Sequence, residues 1–476
     1  MTDKNTAPCP NFRKCGGCQL QNLPYSEQLL HKQRQLVSLL GEFCHVNDII
    51  GMDEPTHYRN KVCAALGLDR QRHIISGIYQ TGSHSIIPVD ECMIEDKISD
   101  SIIVDIRNML RGFKIQAFDE RSGTGWLRHV LVRRGFQSGQ VMVVLVAVSP
   151  IFKLQKPFLK KLTELHPEIT TVVLNVNDRF GPVVLGSREK VLLGDGYIED
   201  SLLGLRFRIS PRSFYQINPV QTERLYSIAI EMAGLTGKEL VLDAYCGVGT
   251  IGLCAAGKAG QALGVELNRD AVKDAIINAK LNGIKNCWFA AGDAGKYMED
   301  MSTGGKRPDV VFMDPPRSGS SPQFLSSLLR AAPKRIVYIS CGPDSLRRDL
   351  DVLVSGGYRV SRIQPVDMFP YTNHVETVCL LSKLHSDQHI EVELKMDELD
   401  LTAAESKATY EEIKDYVLEH NGLKVSNLYI AQVKQKCGII ERINYNLPKS
   451  ENSRQPKCPP EKEAAIREAL EHFRMI

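Results

Sequence analysis

The sequence predicts an α/β protein: a seven-stranded, doubly wound sheet preceded by an α+β section and followed by a small helical appendage. Three observations predict it. Beyond residue 205, short apolar runs of strand length alternate with amphipathic stretches of helix length, the grammar of a parallel sheet covered on both faces. Before it, alternating or β-branched runs are separated by Gly, Asn and Asp turns. At the C-terminal end, from about residue 408, the apolar spacing is helical throughout.

Residues 1–50 hold a cysteine-rich loop and then a helix from near Ser26, SEQLLHKQRQLVSLL, with apolar positions at helical spacing. From Tyr58 to Lys190 the runs HVLVRRG, VMVVLVAV and ITTVVLNV read as strands, interrupted by one helix near KLQKPFLKKLTEL. This first domain, 1–205, gives way to a second, 206–385. There, strands are expected at ELVLDA, QALGVE, CWFAA, DVVFMD, RIVYIS, YRVSRIQPV and TVCLLSK, with helices such as RDAVKDAIINAKLN and PDSLRRDLDVLV between them. The closeness of the last two strands predicts a hairpin at the sheet edge. Residues 386–407 read as an acidic linker. In 408–476, a helix, a turn at Asn421 and Gly422, a second helix and a terminal EKEAAIREALEHF predict a helix-turn-helix or winged-helix-like unit, whose partner the residues do not indicate.

With 476 residues, 43% hydrophobic and 24% charged, the composition is that of a globular protein and excludes fibrous and disordered classes. No window approaches the roughly 18 apolar residues of a membrane helix, and the polar N-terminus has no apolar segment with a cleavage site. A soluble, cytoplasmic, monomeric protein is expected. The formal charge of +3 conceals an asymmetry: residues 386–476 carry 13 basic and 17 acidic side chains, so the rest of the chain is mildly basic. Mild basicity permits a polyanionic partner.

Thirteen cysteines in a reducing compartment do not suggest a disulfide framework. The spacing Cys9-x5-Cys15-x2-Cys18, with Cys92 after 73 further residues, instead suggests a metal centre. Four thiolates suit tetrahedral zinc or a [4Fe–4S] cluster, and ligand type does not choose between them.

In VLDAYCGVGTIG a strand runs into Asp243, and Gly247, Gly249 and Gly252 open a helix, so the backbone can approach a ligand beside free N–H groups. Glu266 ends the next strand, where an acid can bind ribose hydroxyls. Asp293, after the third strand, is placed to bond an adenine amino group or to cap a helix. MDPPR ends the fourth strand with a rigid exit. In ISCGP, Cys341 follows a strand and precedes a helix, whose dipole can stabilise a thiolate. Cys341 is therefore the candidate nucleophile and Glu376, in NHVETV, the candidate base.

In order and spacing, DAYCGVGT, MDPPR, ISCGP and HVETV resemble the S-adenosylmethionine-dependent RNA uracil-5-methyltransferases, and SPRSFYQIN at 210–218 resembles the motif that precedes their first strand. The resemblance covers about residues 8–384 and implies a Rossmann-like methyltransferase domain. It implies that Cys341 adds to uracil C6, that C5 then takes the methyl group, and that Glu376 removes the C5 proton. It places Gln216, Tyr245, Glu266 and Asp314 at cofactor-binding positions, with Asp314 also facing the base, and Phe214 near a flipped uridine. Thr250 stands where some members have Asn, and Gly342 replaces an Asn after the nucleophile. It further implies that Cys9, Cys15, Cys18 and Cys92 hold a [4Fe–4S] cluster, as in the ribosomal-RNA members, and hence a ribosomal RNA substrate of 23S type. Many relatives begin with a small β-barrel RNA-binding domain, and with only eight residues before Cys9 the expectation is that the remaining domains grip the substrate. Arg59, Lys61, Arg128, Arg133, Arg134 and Trp126 are the candidate RNA contacts.

Three alternatives compete. A tRNA enzyme of the same chemistry would not require the cysteine cluster. A non-catalytic iron–sulfur RNA-binding or redox-sensing protein is opposed by Cys341 together with Glu376. An NAD dehydrogenase is opposed by MDPPR with ISCGP.

Overall fold

In the computed structural model, the strand Leu240–Ala244 is buried along nearly its whole length and pairs in parallel with Gln261–Glu266 on one side and Val310–Met313 on the other. The structure describes residues 9–120, 122–179, 181, 183–384, 410–437, 458–473 and 475. The expected linker at 386–407 lies outside them. Two compact units divide the chain, Met1–Ser386 and Asp387–Ile476.

The seven-stranded sheet is present in the first unit. Its spatial order runs Cys287–Ala291, Gln261–Glu266, Leu240–Ala244, Val310–Met313, Arg335–Ser340, Glu376–Lys383 and Tyr358–Val366. The first five are parallel. Glu376–Lys383 runs antiparallel to both neighbours, so the expected hairpin folds back and inserts its second strand inside its first. Strand order reverses between Leu240–Ala244 and Val310–Met313, which opens a crevice beyond their carboxyl ends.

A second seven-stranded sheet precedes it, in the order Ile86–Pro88, Ile74–Tyr79, Lys61–Leu68, Leu127–Arg134, Val141–Ala147, Ile169–Val176 and Arg188–Leu193. Only Val141–Ala147 and Ile169–Val176 run parallel, because the helix Gln155–Leu165 crosses between them. Helices Lys97–Gly112 and Gln155–Leu165 cover one face through Ile102, Ile106, Phe158 and Leu162. The other face contributes Leu131, Met142, Val144 and Val146 to the same core as Val241, Ile251 and Phe312 of the parallel sheet.

The first unit therefore does not separate at residue 205. The hairpin Ile198–Leu202 and Leu205–Ile209 straddles that point. The helix Tyr25–Leu40, expected in the N-terminal domain, buries Leu36 and Leu40 against Ile336, Leu350 and Ile363 of the parallel sheet and its helices. The segment after it extends that sheet through the parallel bridges Val46 to Ile363 and Ile50 to Val366.

The second unit contains helices Tyr410–Asn421, Asn427–Lys436 and Pro460–His472 around Ile413, Val417, Ile430, Val433, Ile466 and Leu470. Among its described residues there is no strand, and among all described residues no helix is long and apolar enough to cross a membrane.

Candidate active site

At the crevice, the turn after Leu240–Ala244 is tight: the Gly249 N–H donates to the Cys246 carbonyl at 2.8 Å, and Gly249 has φ +83°. A Cβ there would lie 2.7 Å from the Phe289 ring, so this position takes glycine for both conformation and space. Asp243 is fully buried and accepts the Gly252 N–H at 2.7 Å, tying the strand to the first turn of the helix Thr250–Ala256. Burial pushes its carboxyl up to about 8, opposed by that hydrogen bond. Its other oxygen has no partner.

Glu266 closes the loop from the neighbouring strand. It accepts the Gly247 N–H at 3.2 Å and the Asn268 N–H at 2.7 Å. Tyr245 holds φ +67° and packs against Phe324 with ring centroids 5.2 Å apart. Asp293 is exposed and caps the helix Ala294–Thr303, accepting the Lys296 N–H at 2.9 Å. The cap expected as one of its two roles is thus present.

Gln216 and Thr250 act on Tyr226, a buried tyrosine on the helix Pro219–Ala233 whose hydroxyl is pushed up first by burial and then by the charge of Asp314, with Thr250 and Gln216 opposing. Tyr226 was not anticipated from sequence, because a tyrosine on an amphipathic helix reads as core. Phe214, five residues before that helix, is 66% exposed. An aromatic ring left in solvent is available to stack on a planar ligand.

Cys341 follows Arg335–Ser340 and precedes the helix Pro343–Ser355, as expected. The thiol is not acidified there. Burial pushes it up to about 11, the negative charges of Glu376 and Asp314 push in the same direction, and Arg317 opposes them. The expected helix-dipole stabilisation of a thiolate is therefore outweighed in this state. Glu376 is buried, pushed up to about 8 by burial and then by Asp314, with Arg317 opposing. One of its oxygens has no hydrogen-bond partner. Asp314 is itself raised to about 7 by burial. Thiol, two carboxyls and one guanidinium thus share the mouth of the crevice. Arg317 carried no assigned role in the sequence, although it ends MDPPR.

The four N-terminal cysteines act on one another electrostatically despite their separation in sequence. All are free and partly buried. Cys9 and Cys15 act electrostatically on Cys18, and Cys18 on Cys92. Cys18 and Cys92 pack on one small cluster with Met52, Tyr58 and Ile94. The Cys15 sulfur accepts the Gly17 N–H at 3.3 Å. Among the described residues, no group of three or more His, Cys, Asp or Glu is gathered as for a single ion.

The candidate RNA contacts are largely engaged within the protein. Arg128 and Arg133 are buried, Arg128 bonding Glu120 and the Asn177 carbonyl and Arg133 the Ser213 carbonyl. Arg134 pairs with Asp96 at 2.9 Å. Arg59 lies against Tyr58 and Glu95, and burial lowers the pKa of Lys61. Trp126 packs on Phe152 and donates to the Ser149 carbonyl. On a strand buried on both faces, basic side chains bind carbonyls and carboxylates rather than a ligand.

Comparison with known proteins agrees with this geometry. A family model described as tRNA (Uracil-5-)-methyltransferase matches residues 24–384. Proteins named uncharacterized RNA methyltransferase from Halalkalibacterium halodurans and Oceanobacillus iheyensis are each 44% identical to this chain. The matches cover 80% and 77% of it and 84% and 81% of their own lengths. The solved structure of the Pyrococcus abyssi tRNA (uracil-54, C5)-methyltransferase in complex with S-adenosyl-L-homocysteine is similar with a TM-score of 0.65 and 28% identity, over 77% of this chain and 86% of that one. The chain belongs to the tRNA (uracil-5-)-methyltransferase family of S-adenosylmethionine-dependent RNA methyltransferases.

Proposed function

We propose that the chain methylates C5 of a uridine in ribosomal RNA, of 23S type, with Cys341 as nucleophile and Glu376 as base. The observation that carries the chemistry is the position of these two residues beside the Ser340 and Thr377 pair at the ends of adjacent strands, with a Glu376 oxygen left without a partner. Uracil C5 is a weak nucleophile until a group adds at C6. The Cys341 sulfur loses its proton to solvent water as it bonds C6, and the C5–C6 electron pair becomes an enolate. Asp314, raised to about 7 by burial, is a cofactor contact in this reading and also faces the target base. S-adenosylmethionine, held at the glycine loop with Glu266, Tyr245, Gln216, Thr250 and Asp293 as contacts, supplies the methyl group that C5 takes. Glu376 then accepts the C5 proton, the electron pair reforms C5–C6, and the Cys341 sulfur leaves C6. Burial raises this carboxyl to about 8, so it releases its own proton before that step and, once ionised, is a stronger base than an ordinary carboxylate.

The ribosomal substrate rests on the cysteine group. We propose that Cys9, Cys15, Cys18 and Cys92 hold a [4Fe–4S] cluster, which serves structure and RNA positioning because the methyl transfer has no redox step. A tRNA substrate is the second reading, favoured by the names of the matching family and of the Pyrococcus abyssi enzyme. The two separate when the purified protein and labelled methyl donor are given total RNA from a strain lacking the gene. Label in 5-methyluridine of large-subunit RNA supports the first reading, and label in tRNA the second.

A further inference from the structure

The loop between the last two strands, residues 367–375, runs directly into Glu376, and its polar groups are held by the N-terminal segment. Asp367 and Lys32, both with fully buried side chains, pair at 2.6 Å, and Lys32 also donates to the Phe369 carbonyl at 3.1 Å. Tyr25 donates to the second Asp367 oxygen at 2.8 Å. Tyr58 donates to the Pro370 carbonyl. Tyr371 donates its N–H to Gln28 at 2.9 Å and accepts the Leu20 N–H on its carbonyl at 2.9 Å. Asn373 donates its N–H to Gln19 at 3.2 Å, and Gln19 in turn donates to the Gly16 carbonyl at 2.7 Å. Tyr371 has φ +67°, a conformation a tyrosine keeps only when its surroundings hold it.

We infer that Gln19, Gln28 and Lys32 are positioning residues for Glu376, forming a strut from the cysteine-bearing segment to the base. This rests on the role proposed above for Glu376. Gln28 and Lys32 occupy the stripe that Leu36 and Leu40 continue in apolar form, so the same helix face anchors the core at one end and the catalytic loop at the other. The strut touches neither Cys341 nor the glycine loop. Its loss therefore acts on proton removal from C5 and spares addition and methyl transfer.

The test uses full-length protein, RNA tritiated at uridine C5 and a carbon-labelled methyl donor. Methyl incorporation reports the first half of the reaction, and tritium release to water reports the second. In the unsubstituted protein the two advance together. In Gln28→Met, tritium release is expected to lag methyl incorporation by about 10- to 100-fold, with methylated RNA retained on the protein and faster amide exchange over residues 369–376. Gln19→Ala removes an exposed contact and is expected to give the same uncoupling more weakly, which decides the matter if Gln28→Met fails to fold. Methyl incorporation and tritium release staying in step in both variants would overturn the strut. If Glu376→Gln itself fails to uncouple them, the base assignment falls, and the strut with it.

Discussion

Cys341 and Glu376 leave the sheet side by side, because Ser340 and Thr377 form the last antiparallel pair between their strands. Inserting Glu376–Lys383 between Arg335–Ser340 and Tyr358–Val366 produces that adjacency. In sequence the two residues are 35 positions apart, separated by a helix and a strand.

Replacing the base should divide the reaction. Glu376→Gln is expected to form the methylated protein–RNA adduct and to resolve it about 100-fold more slowly or worse. A denaturing gel with labelled RNA shows the adduct as a slowly migrating band. Free turnover at the unsubstituted rate would remove Glu376 from the mechanism.

The same carboxyl has a stability signature. Its value of 4.5 in an unfolded chain rises to about 8 in the folded protein, so between these limits the folded state holds a proton that the unfolded state lacks. The stability it contributes is complete below about pH 4.5 and is lost as pH rises through 8. Glu376→Gln removes this dependence, and its Tm relative to the unsubstituted protein should rise between pH 5 and pH 8. A constant difference would contradict the burial argument. Asp243 and Asp314 carry the same sign and remain in the variant.

The Lys32 and Asp367 pair supplies a stability test independent of chemistry. Lys32→Met leaves a buried carboxylate without its cation and should cost about 3–5 kcal/mol, read by urea denaturation. Combining it with Asp367→Leu should recover part of that loss. Equal losses in single and double variants would show that the charge imbalance is not the cause.

Gly249→Ala should weaken cofactor binding with little effect on the N-terminal sheet. The substitution forces a Cβ against Phe289 at a positive φ, and calorimetric titration with S-adenosylhomocysteine measures the loss. Affinity equal to that of the unsubstituted protein would remove the glycine loop from the cofactor site.

The cysteine assignment is checked by elemental analysis of protein purified without oxygen. About four iron atoms per chain are expected, falling in Cys18→Ala. One zinc and no iron would replace the cluster with a mononuclear site.

Much of the parallel sheet was legible because each strand is a short apolar run closed by a chemically distinctive residue, Asp243, Glu266, Asp314 or Cys341. Those endings mark the ligand edge of such a sheet. The domain boundary was not legible, since the shared core is made by alternate residues of strands such as Val141–Ala147, buried on both faces, and one-dimensional text does not say what covers the second face. Arg128 and Arg133 misled for the same reason: alternation with apolar residues reads as a solvated face until the second layer is seen. Lys32 and Tyr226 were hidden because their partners, Asp367 and the pair of Gln216 with Thr250, are distant in sequence or carried other expectations.

The proposed methyl transfer depends on the Cys341 sulfur as the atom that bonds uracil. RNA substituted with 5-fluorouridine accepts the nucleophile and the methyl group but offers no C5 proton to remove, so the covalent complex persists. Peptide mass spectrometry of that complex should find the methylated nucleotide on Cys341, and Cys341→Ala should form no complex. An adduct on another residue, or turnover by Cys341→Ala, would contradict the account.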